Sequence, residues 1–222
     1  MEQSPSPSPH VTALRESPRR PGRFLLTLSD GQQFLVPAGV LADTGAVRIG
    51  ALMAAELLGR LQHEHAVTSL ADWALDALAR GRRTRRELEL RMRRREGTAM
   101  QVREALDRLD AAGLLNDESV AQAEAASRLR RGEAPARIQQ RLRRKGVAAP
   151  LVHEAVVSAM HDDAFDEDAA CRAAAEKRAR TLDTTDPVAA RRKLQGFLLR
   201  RGFAAGIAAR VARSVLDSRR AG

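Results

Sequence analysis

Arginine dominates the chemistry this chain can do. Of its 38 basic residues only Lys145, Lys177 and Lys193 are lysine, and the formal net charge is +10. A guanidinium is planar and permanently charged, and it makes paired hydrogen bonds to phosphate or carboxylate that an ammonium cannot, so the first expectation is an anionic partner. The cations are clustered. Arg82, Arg83, Arg85 and Arg86, followed by Arg94 and Arg95, form the first group. Arg130, Arg131, Arg137, Arg141, Arg143, Arg144 and Lys145 form the second, and Arg191, Arg192, Lys193, Arg200 and Arg201 the third. These are the candidate binding residues, the first group being the least regular. For any one of them the bland explanation is a solvated helix face, where a cation near the C-terminus gains roughly 0.3–1 kcal/mol from the helix dipole. Recurrence of the whole set favours a binding surface over that explanation.

The remaining reactive residues carry little. His63 and His65 are two apart and would point in different directions on a helix, and His10, His153 and His161 are scattered. The acidic run Asp162, Asp163, Asp166, Glu167, Asp168 lacks the alternating ligands and central glycine of a calcium loop, and it better complements the positive end of a helix. Cys171 is the only cysteine, which excludes an internal disulfide and a cysteine zinc site and fits a reducing, cytoplasmic setting. Lys145-Gly146 reverses the order of a phosphate-binding loop, and no serine lies in a nucleophile elbow. The chain is therefore expected to be a non-enzyme without metal or cofactor. No apolar run approaches about 18 residues, so no membrane span is expected. The start, with Glu2 and its Ser–Pro alternation, lacks the basic and apolar regions of a signal peptide and reads as a disordered tail over 1–9.

Aromatic residues are scarce: no tyrosine, Trp73, and five phenylalanines. Single-strand binders stack bases on aromatic platforms, whereas Phe24, Phe34 and Phe197 here read as core. Contact with nucleic acid is thus expected to be weak, sequence-independent, salt-sensitive and made to phosphates.

The elements that would position these cations recur three times. An apolar pair, a basic cluster, a glycine and a second apolar pair run through Leu88, Met92, Arg93–Arg95, Gly97, Val102 and Leu106. They recur as Ile138, Leu142, Arg143–Lys145, Gly146, Leu151 and Ala155, and as Leu194, Leu198, Arg200-Arg201, Gly202, Ile207 and Val211. Each glycine stands equally far from the following pair, and the first copy carries one extra residue before it. Such self-similarity predicts stacked helical units whose equivalent positions form one basic stripe. Helices are expected over 118–131, 134–145 and 148–160, then over 165–182, 187–201 and 204–218. Pro135 and Pro187 mark entries, Asp117 is an N-cap, and Gly113 ends the preceding helix. Around Ser29-Asp30-Gly31, alternating Phe24, Leu26, Leu28 and Phe34, Val36 predict a β-hairpin, with Val11–Leu14 beginning a further strand. Glycines 39, 45, 50 and 59 predict only short helices over 38–62.

The fold is therefore expected to be mainly α. Three tandem three-helix repeats, an elongated, curved array, follow a small N-terminal region of β-hairpin and short helices. The expected division is 1–9 tail, 10–66 N-terminal region, then repeats 67–116, 117–162 and 163–222.

The helix Ala74–Ala79, Arg86-Glu87-Leu88, the junction Ala112-Gly113-Leu114-Leu115-Asn116-Asp117 and Arg144-Lys145-Gly146 resemble the RecX family of bacterial recombination regulators. So do Arg191-Arg192-Lys193-Leu194 through Arg200-Arg201-Gly202-Phe203, Val11–Leu14 and the Arg23–Val36 hairpin. The likeness spans roughly residues 10–217 and rests on the order and spacing of the motifs. It implies three tandem three-helix units. It also implies binding of RecA in the groove of the RecA–DNA filament, with inhibition of its strand exchange, coprotease and ATPase activities in DNA repair, by a monomer. The alternative is a helix-turn-helix-like DNA-binding transcription regulator, which would need one dedicated recognition helix and a dimer.

Overall fold

The structure is a computed structural model and is described for residues 8–44, 48–183 and 185–221. It forms two compact units, Met1–Leu115 and Asn116–Gly222.

The first unit begins with three antiparallel strands in the order β1 (Val11–Glu16), β2 (Arg23–Leu28), β3 (Gln33–Pro37). Leu26 faces Phe34 and Phe24 faces Val36, the register that a turn at Asp30-Gly31 predicts. The strand at Val11 joins this hairpin by pairing with β2. Alternation buries Val11, Leu26, Leu28, Phe34 and Val36 in one core, closed by Leu41 of α1 (Ala38–Thr44), Met53, and Leu61 of α2 (Ala55–Ala79).

Helix α2 corrects the expectation of short helices. Only α1 is short; α2 runs through Gly59 for 25 residues. A mid-helix glycine costs about 1 kcal/mol relative to alanine. Burial of α2 in two cores outweighs that cost, Leu61 under the sheet and Val67, Leu70, Ala71, Ala74 and Ala77 in the first triplet. The break expected at Gly45 and residues 1–7 of the tail lie outside the described residues. The histidines of α2 have structural roles: His65 Nδ1 accepts from Leu35 N–H at 2.8 Å, and His63 Nε2 lies 2.7 Å from the Glu104 carboxylate.

Helices α3 (Arg85–Arg93) and α4 (Ala99–Ala111) complete the first triplet. The second unit holds α5 (Asp117–Leu129), α6 (Pro135–Arg144), α7 (Ala149–Asp162), α8 (Glu167–Ala179), α9 (Pro187–Arg200) and α10 (Ala205–Ala221). Pro135 and Pro187 occupy first turns as expected, and Gly113 takes a left-handed φ of 68° after α4. Capping of α5 differs, since Asn116 accepts from Ser119 N–H at 2.7 Å and Asp117 is the first helical residue. The acidic run divides as well. Asp166 caps α8, with Glu167 and Asp168 in its first turn, but Asp162 and Asp163 lie at the other end of the preceding helix.

Each second helix buries its apolar pair completely: Leu88/Met92, Ile138/Leu142 and Leu194/Leu198. Full burial of one such side chain contributes roughly 1.5–3 kcal/mol, so these pairs anchor the triplets. Counted from them, the repeat register changes. Glu96, with φ 65°, occupies the left-handed position that Gly146 (85°) and Gly202 (89°) hold in the other two. Gly97 is therefore the counterpart of buried Val147 and Phe203. A Cβ there would lie 2.9 Å from both Leu70 Cδ1 and Val102 Cγ2, so neighbouring side chains already fill the space that Phe203 occupies. The first copy has no extra residue once the turn is aligned this way. The third helices then bury Val102/Leu106, Val152/Val156 and Ala208/Ala212; of the expected pairs, Ala155 and Val211 are buried while Leu151 and Ile207 are only half-buried.

Candidate functional site

Alignment on the buried pairs puts Arg94, Arg144 and Arg200 at one position and Arg95, Lys145 and Arg201 at the next. Both positions lie where a second helix ends and its last carbonyls favour a cation. They behave differently. Arg94, Arg144 and Arg200 are exposed, and none forms an ion pair among the described residues. At the next position each cation folds back on its own triplet. The Arg95 guanidinium lies 4.9 Å from the centre of the Trp73 ring, Lys145 meets Glu124, and Arg201 lies 5.7 Å from the centre of Phe197. The first position projects charge; the second packs it.

In α6 and α9 the outward positions continue toward the helix start at intervals of three and four, whereas in α3 Glu87 stands at the last of them. In α6 they comprise Arg137, Arg141 and Arg144. Glu133 lies 3.3 Å from Arg137, 3.5 Å from Arg141 and 3.4 Å from Arg128, so one carboxylate faces three guanidiniums and the cluster keeps net positive charge. The corresponding residues of α9 are Lys193, Phe197 and Arg200. Phe197 is half-buried rather than fully core, with Arg178 as well as Arg201 over its ring. Arg143, Arg131, Arg191, Arg192 and Lys193 are exposed without ion pairs among the described residues, whereas Arg130 pairs with Asp163 at 3.3 Å.

Within the second unit the α6 and α9 clusters meet. The turn after α9 abuts the first turn of α6: a Cβ built on Gly202 would lie 3.0 Å from Arg137 N. This brings Arg200 and Arg201 toward Arg137. Each stripe, from Arg137 to Arg144 and from Lys193 to Arg200, covers about 10 Å of helix. Ala134, just before α6, is buried in the core of the third triplet, which fixes this joint.

The first triplet treats its cations differently. Arg85 contacts Asp107 and lies 3.7 Å from Asp110; Arg86 and Arg93 share Glu89 at 2.8 and 3.0 Å. Arg86 first, then Arg93, holds the Glu89 carboxyl below its ordinary range. Arg83 donates to the Arg82 carbonyl. Exposed pairs of this kind contribute only about 0–1 kcal/mol to stability, so their main consequence is local cancellation of charge. Of that cluster Arg82 and Arg94 still point outward without an ion pair among the described residues. Arg91, which precedes Arg93–Arg95 in the same basic cluster, is likewise exposed without one, as are Arg103 and Arg213, which lie outside the three basic clusters. Cys171 is fully buried; burial first, then Asp168 and Glu167, pushes its thiol up to about 11 and keeps it unreactive. Among the described residues no group of three or more histidines, cysteines or carboxylates could hold a metal ion, and no helix is long and apolar enough to cross a membrane.

Comparison with known proteins agrees with this architecture. Residues 116–156 match the family model for the second three-helix domain of RecX, and residues 166–211 that for the third. The chain is 38% identical over 137 residues to regulatory protein RecX of Halorhodospira halophila, covering 62% of this chain and 82% of that one. With the Corynebacterium efficiens protein of the same name it shares 35% over 184 residues, 75% of this chain and 86% of the relative. A crystal structure of regulatory protein RecX has the same fold, with a TM-score of 0.68 at 18% identity over 94% of this chain and 99% of that one. The chain belongs to the RecX family of regulatory proteins.

Proposed function

We propose that this protein is a non-enzymatic regulator that binds RecA and the RecA–DNA filament and inhibits its ATPase, strand-exchange and coprotease activities. In this reading it is a cytoplasmic monomer whose contact with DNA is weak, independent of sequence and made to phosphates. The three triplets act as successive binding modules behind the N-terminal region, with the boundaries near residues 66, 116 and 162.

The observation that carries the reading is the outward cation repeated at Arg94, Arg144 and Arg200, joined in the second unit to Arg137, Arg141 and Lys193. Several modest contacts on one chain add through effective concentration, which suits a partner that repeats along a filament better than a single small ligand. Phosphate contacts of this type are lost steeply with added salt. Family membership supplies the expectation that the partner is RecA.

Pelleting of RecA filaments assembled on single-stranded DNA tests the reading. This protein should co-sediment with the filaments at low salt, and less as salt rises. Absence from the pellet at every salt concentration, with the filaments intact, would exclude filament binding.

A further inference from the structure

The third triplet exceeds the other two at the start of its second helix and at the end of its third. Counted from the buried pairs, Arg191 of α9 stands where Pro135 opens α6, so the turn Pro187–Ala190 has no counterpart in α6 or α3. Helix α10 is also longer than α7 or α4, with 17 residues against 14 and 13. Between the added turn of α9 and the second half of α10 lies a cleft of about 280 Å³. Pro187, Val188, Ala190 and Leu216 form its apolar lining; Val188 is 57% exposed, whereas Ala190 and Leu216 are buried and form its floor. Arg191, Arg213 and Arg219 stand on its rim with one carboxylate, Asp217. Arg219 is anchored by donating to the Ala179 carbonyl, while Arg191 and Arg213 form no ion pair among the described residues. The amides of the α9 N-terminus are not the binding element, because Asp186 already accepts from Val188 N–H and Ala189 N–H at 2.9 and 3.1 Å.

We propose that this cleft docks an acidic peptide segment, one apolar side chain seated on Val188 and Leu216 and flanking carboxylates on Arg191 and Arg213. Its volume falls just below the roughly 300–1,000 Å³ of sites that enclose a small molecule, which suits a side chain or two rather than a cofactor. Three guanidiniums against one carboxylate select an anion, and guanidiniums pair with carboxylates in two-pronged geometry. A nucleic-acid backbone would satisfy the charge but would leave Val188 uncovered. A second copy of this chain, itself carrying a net charge of +10, would be repelled. The inference does not rest on the stripe of Arg144 and Arg200, which lies outside the cleft.

The test uses the full chain and fluorescence anisotropy with a labelled oligoglutamate carrying one central leucine. The same peptide with serine at that place and a labelled oligothymidylate serve as comparisons. The leucine peptide should bind about tenfold tighter than the serine peptide, and Val188→Ser should remove most of that difference. Arg213→Gln should weaken both peptides, and Val188→Ser should leave oligothymidylate binding within about twofold. Both substitutions are at exposed helical positions, and circular dichroism and urea unfolding confirm that the fold is kept. Equal affinity for the two peptides would overturn the proposal, as would indifference of the leucine peptide to Val188→Ser. Equal weakening of oligothymidylate by Val188→Ser would assign the cleft to nucleic acid instead. Dimerisation of the wild type that Val188→Ser abolishes would assign it to a second copy.

Discussion

Arg94 and Arg144 hold the same position in their triplets, yet their surroundings are opposite in charge balance. Beside Arg94, Glu89 takes both Arg86 and Arg93, and Asp107 with Asp110 takes Arg85. In the second triplet, Arg128, Arg137, Arg141 and Lys145 share two carboxylates, Glu133 and Glu124, and Arg143 has no ion pair among the described residues. Both triplets bury the same apolar pair in the second helix. One packing scheme thus supports two electrostatic characters, because the outward positions take no part in the core and can change independently of it. Arg143, Arg144, Lys193 and Arg200 of the second unit stand available to a partner, whereas Arg85, Arg86 and Arg93 of the first triplet serve their own helices.

The largest effect should come from the part the triplets share. Leu142→Asp and Met92→Asp each bury a carboxylate among apolar side chains and should cost roughly 4 kcal/mol or more. Urea unfolding measures both, and a loss below about 1 kcal/mol in either would break the equivalence of the two pairs. Next comes the part they do not share. Arg144→Glu with Arg200→Glu should weaken binding to single-stranded DNA about tenfold or more at low salt and flatten its salt dependence. The matched change of Arg86 and Arg93 to glutamate should do less, since both of those cations are already engaged by the Glu89 carboxylate. Equal effects in a salt titration would remove the contrast.

The turn offers a smaller and sharper test. Glu96→Gly should stabilise the protein by about 1 kcal/mol, because a left-handed backbone costs an ordinary residue roughly 1–2 kcal/mol and glycine almost none. A destabilised variant would return the turn position to Gly97. The smallest effect concerns Glu104, whose carboxyl is held below its ordinary value of 4.5 by the hydrogen bond from His63 first and then by Arg108. A lowered folded value means that its contribution is fully present above the ordinary value and drains away as pH falls through the folded one. Glu104→Gln should therefore narrow the stability gap to wild type in acid, measured by urea unfolding at neutral pH and below pH 4. A gap that stays constant with pH would remove Glu104 from that role.

Helix order was legible because the punctuation is chemical. Proline at 135 and 187 and the left-handed glycines at 113, 146 and 202 stop or start helices for reasons local to the residue. The register of the first triplet was not, because Gly97 looks like a turn glycine; only the packing of Leu70 and Val102 around it reveals a steric role. The length of α2 was hidden for a related reason, since Gly59 breaks a helix only where no tertiary burial opposes it. Clustering in the sequence found Arg94, Arg144 and Arg200 but passed over scattered exposed cations such as Arg103 and Arg213. It could not tell outward cations from paired ones, because partners such as Asp107 for Arg85 and Asp163 for Arg130 lie far along the chain.

The most direct test is RecA's DNA-dependent ATP hydrolysis, titrated with this protein across a salt series and repeated with the Arg144→Glu, Arg200→Glu variant. Wild type should lower the rate at low salt and lose effect as salt rises, and the variant should lose most inhibition with its circular dichroism unchanged. A rate that wild type leaves unchanged at low salt, or that the folded variant inhibits as fully as wild type, would contradict regulation of RecA through the exposed cations of the second unit.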